Sequence, residues 1–257
     1  MKNRVIYYEN ELTDEFSEAQ ITPKVIDGKY NYKGGVIRKI LRVLVYAIIM
    51  HPIAFFYMKC ICGHSFVNRK VIKKTKGAFY LYGNHTHPVA DAFIPSFTCF
   101  PKGTYVIVHP NNVSMPVLGR LTPCMGAVPL PGNMEASRHF SELLKHHAGK
   151  GLSVTIYPEA HIWPYYTDIR PFEDKSFTYP VKYNVPAYCI TNTYHKKLIG
   201  KKPKIRTYVD GPFYPDKSLS VADARKQLRD QIYNTMKERA KNNTAIYVEY
   251  IKKSEKI

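Results

Sequence analysis

The sequence predicts an α/β protein with a mostly parallel central sheet flanked by helices and an N-terminal helical segment that associates with a membrane. From Val71 onward, short runs of β-branched and aromatic residues alternate with helical patterns. A chain of 257 residues is long enough for one such domain and an appendage. We place the N-terminal segment at residues 1–66 and the α/β domain at residues 67–257.

The most apolar stretch runs from Val43 to Met58. A helix of this length would reach about 24 Å, less than the roughly 30 Å hydrocarbon core of a bilayer, and Pro52 is expected to kink or break it. Basic residues lie on both sides of it: Arg38, Lys39, Arg42 and Lys59. The pattern favours two short helices that dip into one leaflet of an anionic membrane. The alternative is a buried packing helix. The polar N-terminus carries no secretory signal pattern.

Five runs have the composition and the Gly, Pro or Asn boundaries that are typical of strands. The predicted strands are Ala78 to Gly83, Thr104 to His109, Leu152 to Tyr157, Ala187 to Asn192 and Ile205 to Asp210. Strands interleaved with helices favour a substantially parallel sheet.

Two helices are predicted from apolar residues that repeat along one face. The first spans Met134 to Ala148 and stops at Gly149, and the second begins after Ser220 with a spacing to Asp223 that resembles a capping box. The residues expected to be buried are Ala136, Phe140, Leu143, Leu144 and His147 in the first helix, and Ala224, Leu228, Ile232, Met236 and Ala240 in the second.

The chain carries a formal charge of +18 and contains 21 Tyr. This charge predicts an anionic partner: a phospholipid surface, nucleic acid, a phosphorylated substrate or an acidic carrier protein. No recognition-helix, RNP or zinc-finger pattern supports nucleic acid. The five scattered cysteines indicate a reducing, cytosolic setting rather than a disulfide framework.

The segment LYGNHTHPVADAF concentrates polar chemistry where a predicted strand ends. The segment YPEAHIWP follows another strand, so both are expected at the carboxyl edge of the sheet, where sites form in open α/β folds. His85 with Asp91 matches a general base and the carboxylate that orients it. A polar loop with Asp91 as a helix cap, and a zinc site in which His87 joins the pair, are the alternatives.

The lack of a recognisable enzyme nucleophile favours direct transfer of a group from one substrate to the other. The sequence has no Gly-x-Ser-x-Gly nucleophile elbow and no cysteine with an obvious activating neighbour. A base at His85 would therefore take its proton from a substrate hydroxyl. Such a base, combined with the positioning of two substrates, suits acyl transfer from a thioester to an alcohol.

The His85–Asp91 segment resembles the His-(four residues)-Asp block of the glycerolipid acyltransferases, the superfamily of the lysophosphatidate (1-acylglycerol-3-phosphate) acyltransferases. Three further segments resemble the family's later blocks in order and spacing: Met115 to Asn133, Ile156 to Phe177 and Val185 to Tyr194. The resemblance covers about Lys70 to Gly211, and an amphipathic helical segment before it is also a family trait.

Two departures affect what the resemblance implies. Five residues separate His85 from Asp91, and we assign the base to His85 because the family's Asn-His pair is present with Asn84. The arginines that the family uses near the acceptor phosphate are missing. Other cations are candidates for that role, since a phosphate needs positive charge rather than a fixed sequence position; they are Arg120, Arg138, Arg170 and Lys175.

The resemblance implies an O-acyltransferase that moves a fatty acyl group from acyl-CoA or acyl carrier protein to a lysophospholipid hydroxyl. It implies no tightly bound cofactor or metal, a lysophosphatidate-like acceptor by default, and a place on the cytoplasmic face of the membrane. Glu159 is expected to bind the acceptor or brace the site, and Asn84 is expected to bind substrate. A lysine cluster after the fourth block is a solvated loop or a contact with lipid, coenzyme A or carrier protein. The rival interpretations are a zinc-dependent hydrolase and a non-catalytic membrane-binding or nucleic-acid-binding protein.

Overall fold

A computed structural model describes residues 4–16, 22–198 and 200–253 of the chain; the remaining parts of the two predicted segments lie outside this description. The described strands are β1 (Arg4–Tyr8), β2 (Ser65–Val67), β3 (Tyr80–Gly83), β4 (Tyr105–Val108), β5 (Ala127–Pro129), β6 (Val154–Ile156), β7 (Ala187–His195), β8 (Lys204–Phe213) and β9 (Val248–Lys252).

Helices fill most of the connections between these strands. The described α-helices are α1 (Val36–Leu41), α2 (His51–Phe56), α3 (Lys70–Lys73), α4 (Ile94–Cys99), α5 (Asn111–Ser114), α6 (Leu118–Leu121), α7 (Met134–Gly149), α8 (Thr178–Tyr183) and α9 (Val221–Ala240).

Seven strands form one sheet in the order β2-β8-β7-β3-β6-β4-β5. Strands β7, β3, β6, β4 and β5 run parallel to one another, whereas β8 pairs with β7 in the antiparallel sense and β2 runs parallel to β8. The predicted class, α/β with a mostly parallel central sheet and flanking helices, is confirmed. All five predicted strands are present within a few residues of their expected ends.

Side chains that alternate along the central strands fill a core on each face of the sheet, as the period of two requires. Tyr80 and Tyr82 lie in the core beneath α7 and α9, whereas Phe79 and Leu81 lie in the core beneath α3 and α4. The molecule is therefore a three-layer sandwich, and its central strands are buried on both faces.

Helices α7 and α9 follow their sequence patterns closely. Asn133 caps α7 by accepting a hydrogen bond from the N–H of Ala136 at 2.9 Å, and Ser220 caps α9 by accepting one from the N–H of Asp223 at 3.2 Å. All ten residues that were expected to face the core are buried.

The apolar N-terminal stretch is helical, and of the kink or break expected at Pro52 the break is absent, because the helical backbone continues from Met50 into α2. A π-helical segment (Arg42–Met50) links α1 to α2, and a second one (Tyr57–Ile61) continues α2. Pro52 lies in the first turn of α2, where a missing N–H costs little, and the backbone of Met50 stays helical. The side chains at positions 39, 43 and 45–47 lie outside the described part.

Large apolar side chains are exposed along this helical run. Side chains that are half or more exposed are Val36, Ile37, Ile40, Ile48, Ile49, Ile53, Phe55, Phe56 and Ile61. In the part of the chain that the structure describes, none of the helices has both the length and the apolar character needed to cross a bilayer. Membrane association of this segment, and the division at residue 66, stay predictions.

The topology fixes which loops meet at one edge of the sheet. Because β3, β6 and β7 are parallel, their carboxyl ends share an edge, which the amino ends of the oppositely directed β8 and β2 also join. The segments that follow β3, β6 and β7, and those that precede β8 and β2, therefore lie side by side. This carboxyl edge is where the sequence predicted a site.

Candidate active site

His85 and Asp91 are in direct contact despite the five residues between them. The imidazole Nδ1 lies 2.9 Å from Asp91 Oδ2. The histidine side chain is 25% exposed and the aspartate side chain is 2% exposed. The carboxylate is thus a buried acceptor that holds the proton on Nδ1, which leaves the unprotonated Nε2 as the basic atom of the ring.

Asp91 accepts four hydrogen bonds. Besides the imidazole, Oδ2 accepts from the backbone N–H of Thr86 at 2.8 Å and of His87 at 2.9 Å. Oδ1 accepts from the side-chain amide of Asn192 at 3.1 Å. Hydrogen bonds to an ionised acceptor are strong and offset its burial. Asp91 does not cap a helix, so that interpretation is wrong: its carboxylate binds the loop that precedes it.

A chain of hydrogen bonds runs from Asp91 through the sheet to a second histidine. Asn192 Oδ1 accepts from the hydroxyl of Thr207 at 2.7 Å, and Thr207 Oγ1 lies 2.8 Å from His64 Nε2. Since the threonine proton goes to the amide oxygen, His64 must donate through Nε2–H. Burial and the nearby Lys59 and Arg69 lower the pKa of His64 to about 3, so the ring is neutral. Every donor in the chain points toward Asp91.

Asn84 joins the site loop to strand β7. Its Oδ1 accepts from the backbone N–H of Asn192 at 2.8 Å, and its side-chain amide donates to the backbone carbonyl of Asn192 at 3.1 Å. Asn84 is 2% exposed. The side chain that we predicted to bind substrate thus extends the β3–β7 pairing by one step and fixes where the loop begins.

The imidazole of His85 stacks on Tyr157, with ring centroids 4.4 Å apart and planes at 21°. The Tyr157 hydroxyl donates to the backbone carbonyl of Asp91 at 2.5 Å, and burial raises the pKa of this tyrosine well above its usual value. A Cβ at position 83 would lie 2.8 Å from the tyrosine ring. The close approach that lets Tyr157 support His85 therefore requires Gly83.

Glu159 braces the same loop from below. Its Oε2 accepts from the backbone N–H of His85 at 3.0 Å and lies 3.3 Å from the guanidinium of Arg170, and both side chains of the ion pair are fully buried. Burial raises the pKa of Glu159, while Arg170 and the two backbone N–H groups oppose that rise. Removing one member of such a pair leaves an uncompensated buried charge, which costs about 3–5 kcal/mol.

Arg170, a candidate for the acceptor phosphate, is committed to this internal network. Its guanidinium also donates to the backbone carbonyls of His161 and Glu11 and lies 4.9 Å from the ring centroid of Trp163. The side chain is 1% exposed. In this arrangement Arg170 holds the segment after β6 against the N-terminal residues rather than facing solvent.

Trp163 anchors the segment after β6 to the small parallel sheet of β1 and β9. The indole is fully buried, stacks on Tyr250 at 5.0 Å and packs against Tyr8 at 4.8 Å. Its backbone N–H donates to the carbonyl of His85 at 3.1 Å. The tryptophan therefore has a packing role in this arrangement.

His87 is fixed by the loop itself. Its Nδ1 accepts from the backbone N–H of Ala90 at 3.0 Å and of Val89 at 3.3 Å, so that nitrogen carries no proton. Burial lowers the pKa of His87. Within residues 4–16, 22–198 and 200–253, no group of three or more His, Cys, Asp or Glu side chains is placed to share a metal ion. The zinc interpretation therefore has no ligand set in this part of the chain.

The other candidate phosphate cations do not join this cluster. Arg120 on α6 and Arg138 on α7 are exposed. Lys175 is 82% exposed and pairs with Glu173 at 2.7 Å. The structure thus brings together Asn84, His85, Asp91, Glu159 and Arg170, and leaves Arg120, Arg138 and Lys175 outside the hydrogen-bonded network.

The fold and the site together define an α/β protein with a hydrogen-bonded His–Asp pair at the carboxyl edge of its sheet. No protein-family model and no curated protein matches the sequence. Among solved structures, the chain is similar to the crystal structure of the 1-acyl-sn-glycerophosphate (LPA) acyltransferase PlsC from Thermotoga maritima. The TM-score is 0.51 at 18% sequence identity, over 82% of this chain and 99% of that chain. The resemblance to glycerolipid acyltransferases inferred from the sequence is confirmed at the level of the fold.

The sequence did not reveal Asn192, Thr207 or His64 as parts of the site. Asn192 ends a predicted strand at the carboxyl edge, and a polar side chain there was a usable indication. Thr207 and His64 carry no comparable indication, because each is an ordinary residue whose contacts come from segments far away in the sequence.

The neutral, buried state of His64 predicts a specific loss of stability in acid. The unfolded ring takes up a proton near pH 6.5, whereas the folded ring resists protonation until about pH 3. The free energy of unfolding should therefore fall as the pH drops from about 6.5 toward 4, by up to about 1.4 kcal/mol per pH unit for this one proton. His64→Gln retains a donor for Thr207 without a titrating ring, and urea unfolding across pH should show a shallower slope for it than for the wild type.

His109→Gln, which removes an exposed imidazole, is the matched control and should keep the wild-type slope. Equal slopes in wild type and His64→Gln would contradict the neutral, buried assignment.

Proposed function

We propose that this protein is an O-acyltransferase that moves a fatty acyl group from a thioester to the hydroxyl of a lysophospholipid, with His85 as the general base. The observation that carries the proposal is the 2.9 Å contact between His85 Nδ1 and a buried Asp91, with the ring partly exposed at the carboxyl edge of the sheet. The fold likeness to an acyltransferase of the PlsC type supports the same reaction class.

In the proposed reaction, His85 Nε2 takes the proton of the acceptor hydroxyl as the oxygen attacks the thioester carbonyl. The Asp91 carboxylate stabilises the imidazolium that forms. When the tetrahedral adduct collapses, the C–S bond breaks and Nε2–H protonates the departing thiolate. An ester and a free thiol result, and His85 returns to its neutral state. A positioned base of this kind contributes about 10²–10⁴-fold.

Three backbone N–H groups that could be considered as oxyanion donors already have acceptors within the protein. The N–H of His85 donates to Glu159, and the N–H of Thr86 donates to Asp91. The N–H of Gly126 donates to the carbonyl of Pro123 at 3.2 Å. In this proposal the oxyanion is therefore held by another donor or by the substrates' own groups.

The acceptor in this proposal is lysophosphatidate-like, and the donor is acyl-CoA or acyl carrier protein. The similar solved structure is that of an LPA acyltransferase, and this likeness of fold supports such an acceptor. The formal charge of +18 favours a phosphate-bearing acceptor and an anionic donor carrier alike. No described feature favours the zinc-hydrolase or nucleic-acid alternatives.

We place the protein at the cytoplasmic face of a membrane with an anionic surface, bound through the helical run from α1 to the second π-helical segment. Ile48, Ile53 and Phe56 are each about 60% exposed there. Exposed apolar side chains at this density are unusual on a soluble surface and are typical of an interaction surface. With Lys59 in the same run, they fit an interfacial helix that rests among lipid headgroups.

Replacing His85 by Ala should lower acyl transfer by about 10²–10⁴-fold, because the only basic nitrogen of the dyad is removed. The measurement is product formation from labelled acyl-CoA with a panel of lysolipids, accompanied by circular dichroism to show that the fold persists. His87→Gln is the matched control and should retain most of the activity. Full activity in the His85 variant would defeat the assignment.

Asn192 is proposed as a positioning residue that acts through Asp91. In Asn192→Ala the clasp with Asn84 survives, because it uses only the backbone of residue 192. We expect kcat to fall about tenfold with little change in KM, since a donor to the orienting carboxylate is lost. In Asn192→Asp the new carboxyl group lies beside buried Asp91, so the pair keeps one proton and residue 192 can still donate to Asp91. We expect kcat of Asn192→Asp to recover toward the wild-type value, and equal losses in both variants would reduce Asn192 to a packing role.

Membrane binding is tested with vesicles of phosphatidylglycerol and phosphatidylcholine in a sedimentation assay. Ile53→Ser combined with Phe56→Ser should weaken binding by at least about tenfold, because each large apolar side chain contributes about 1.5–3 kcal/mol on full burial. Val221→Ser with Ile246→Ser removes two equally exposed apolar side chains elsewhere and should bind as the wild type does. Equal loss in both variants would argue against a specific binding face.

A further inference from the structure

A cluster of lysines lies beside the candidate active site, where the chain turns from β7 into β8. A surface concavity there is lined by Gly63, Lys196, Lys197, Leu198 and Lys204. We call this concavity the lysine cradle. It belongs to the carboxyl edge of the sheet, because β7 ends, and β8 and β2 begin, at that edge.

The floor of the lysine cradle depends on a glycine. Gly63 has a φ of +57°, and a Cβ there would lie 3.2 Å from Lys197 Cε and 3.2 Å from Lys204 Cβ. The missing side chain lets the stems of the two lysines converge over the backbone. The ammonium of Lys197 is fixed by a hydrogen bond to the carbonyl of Ile61.

The charges of the cradle have no anionic partner within the described part of the chain. None of the ion pairs found there includes Lys196, Lys197 or Lys204, although eight acidic side chains elsewhere are paired with Lys or Arg. Like charges gathered in one concavity repel each other, so a bound anion stabilises this arrangement. A further cation, Lys59, donates to the carbonyl of His64, the residue that follows Gly63, at 3.1 Å.

The cradle is connected to the catalytic loop by a short path. The hydroxyl of Tyr194 donates to the Thr86 carbonyl at 2.9 Å, and Lys196 follows two residues later. Lys202, in the same turn, lies close enough to His87 for its charge to help lower the pKa of that histidine. An anion in the cradle therefore sits on the same edge as His85.

A second basic concavity lies at the opposite edge of the sheet from His85. It is lined by residues that precede β3, β4 and β6, including Lys76, Lys102 and Lys150. The amino ends of these strands form the edge opposite to the site. Arg170 is buried against Glu159 and is equally unsuited to a ligand.

We propose that the lysine cradle, together with Lys202, binds the phosphate monoester of the acceptor lipid and so replaces the arginines that this chain lacks. The proposal rests on the proposed acyl transfer and names the part of the site that selects the acceptor. Lysines act here as point charges rather than as bidentate forks, which suits a phosphate that is held by charge. The glycerol hydroxyl of the bound lipid is then directed along the edge toward His85.

The test is equilibrium binding, which does not depend on turnover. The probes are 1-octanoylglycerol 3-phosphate and uncharged 1-octanoylglycerol, both as monomers in solution, and inorganic phosphate. The cradle variant is Lys196→Gln, Lys202→Gln and Lys204→Gln together. The control variant makes the same change in net charge at exposed lysines on other elements, with Lys145→Gln, Lys217→Gln and Lys226→Gln.

We expect the cradle variant to bind the phosphate lipid at least about tenfold more weakly, with binding of the uncharged lipid unchanged, and the control variant to match the wild type. The affinity of the wild type for the phosphate lipid should also fall more steeply with salt than that of the cradle variant. The single variants Lys196→Gln and Lys202→Gln should each show part of the loss, which guards against misfolding of the triple variant.

Wild-type affinity in the cradle variant would overturn the proposal, as would an equal loss for the charged and uncharged lipids. Loss of binding to anionic vesicles without loss for the monomeric phosphate lipid would assign the lysines to the membrane surface and would also overturn it. Inorganic phosphate competing equally well in wild type and cradle variant would do the same. Selective binding of the phosphate lipid without acyl transfer to any acceptor would support phosphate binding by the lysine cradle and would contradict the proposed acyltransferase activity.

Discussion

The site depends on one buried carboxylate. Asp91 accepts from the imidazole of His85, from two backbone N–H groups and from the amide of Asn192. The loop after β3 closes around this anion, because its own N–H groups find their acceptor there. The same closure explains how a histidine and an aspartate separated by one residue more than in the family block still meet: the extra residue is taken up in backbone that bonds to the carboxylate.

The loop is also held from outside by the segment that follows β6. Glu159 accepts from the N–H of His85, and the N–H of Trp163 donates to the carbonyl of His85, so both backbone groups of the proposed base are fixed. Glu159 tolerates full burial because Arg170 and backbone donors surround it. The proposed role of His85 needs this rigidity, since loosely held catalytic groups lose much of their effect.

Local patterns predicted the parts of the fold that are local. Helices α7 and α9 follow from apolar repeats and capping residues, and the central strands follow from their composition. Strands β1, β2, β5 and β9 were not predicted, because each has five residues or fewer and the partners of β1, β2 and β9 are distant in the sequence. The helical backbone is not broken at Pro52, where the hydrogen bonding changes from π-helical to α-helical and the proline lies in the first turn of α2. His85 and Asp91 were found through their motif, whereas Arg170 was misjudged as an open cation because the sequence does not reveal that its partner is Glu159.

The pairing of β1 with β9 has a consequence for the order in which the molecule folds. It joins the first described strand to the last, and the rings of Tyr8 and Tyr250 on these two strands enclose Trp163. Contacts between such distant segments carry the largest loop-closure entropy and are slow to form. The enclosure of Trp163, and with it the outer support of His85, therefore requires both β1 and β9, and we expect it to form later than the contacts within the central sheet.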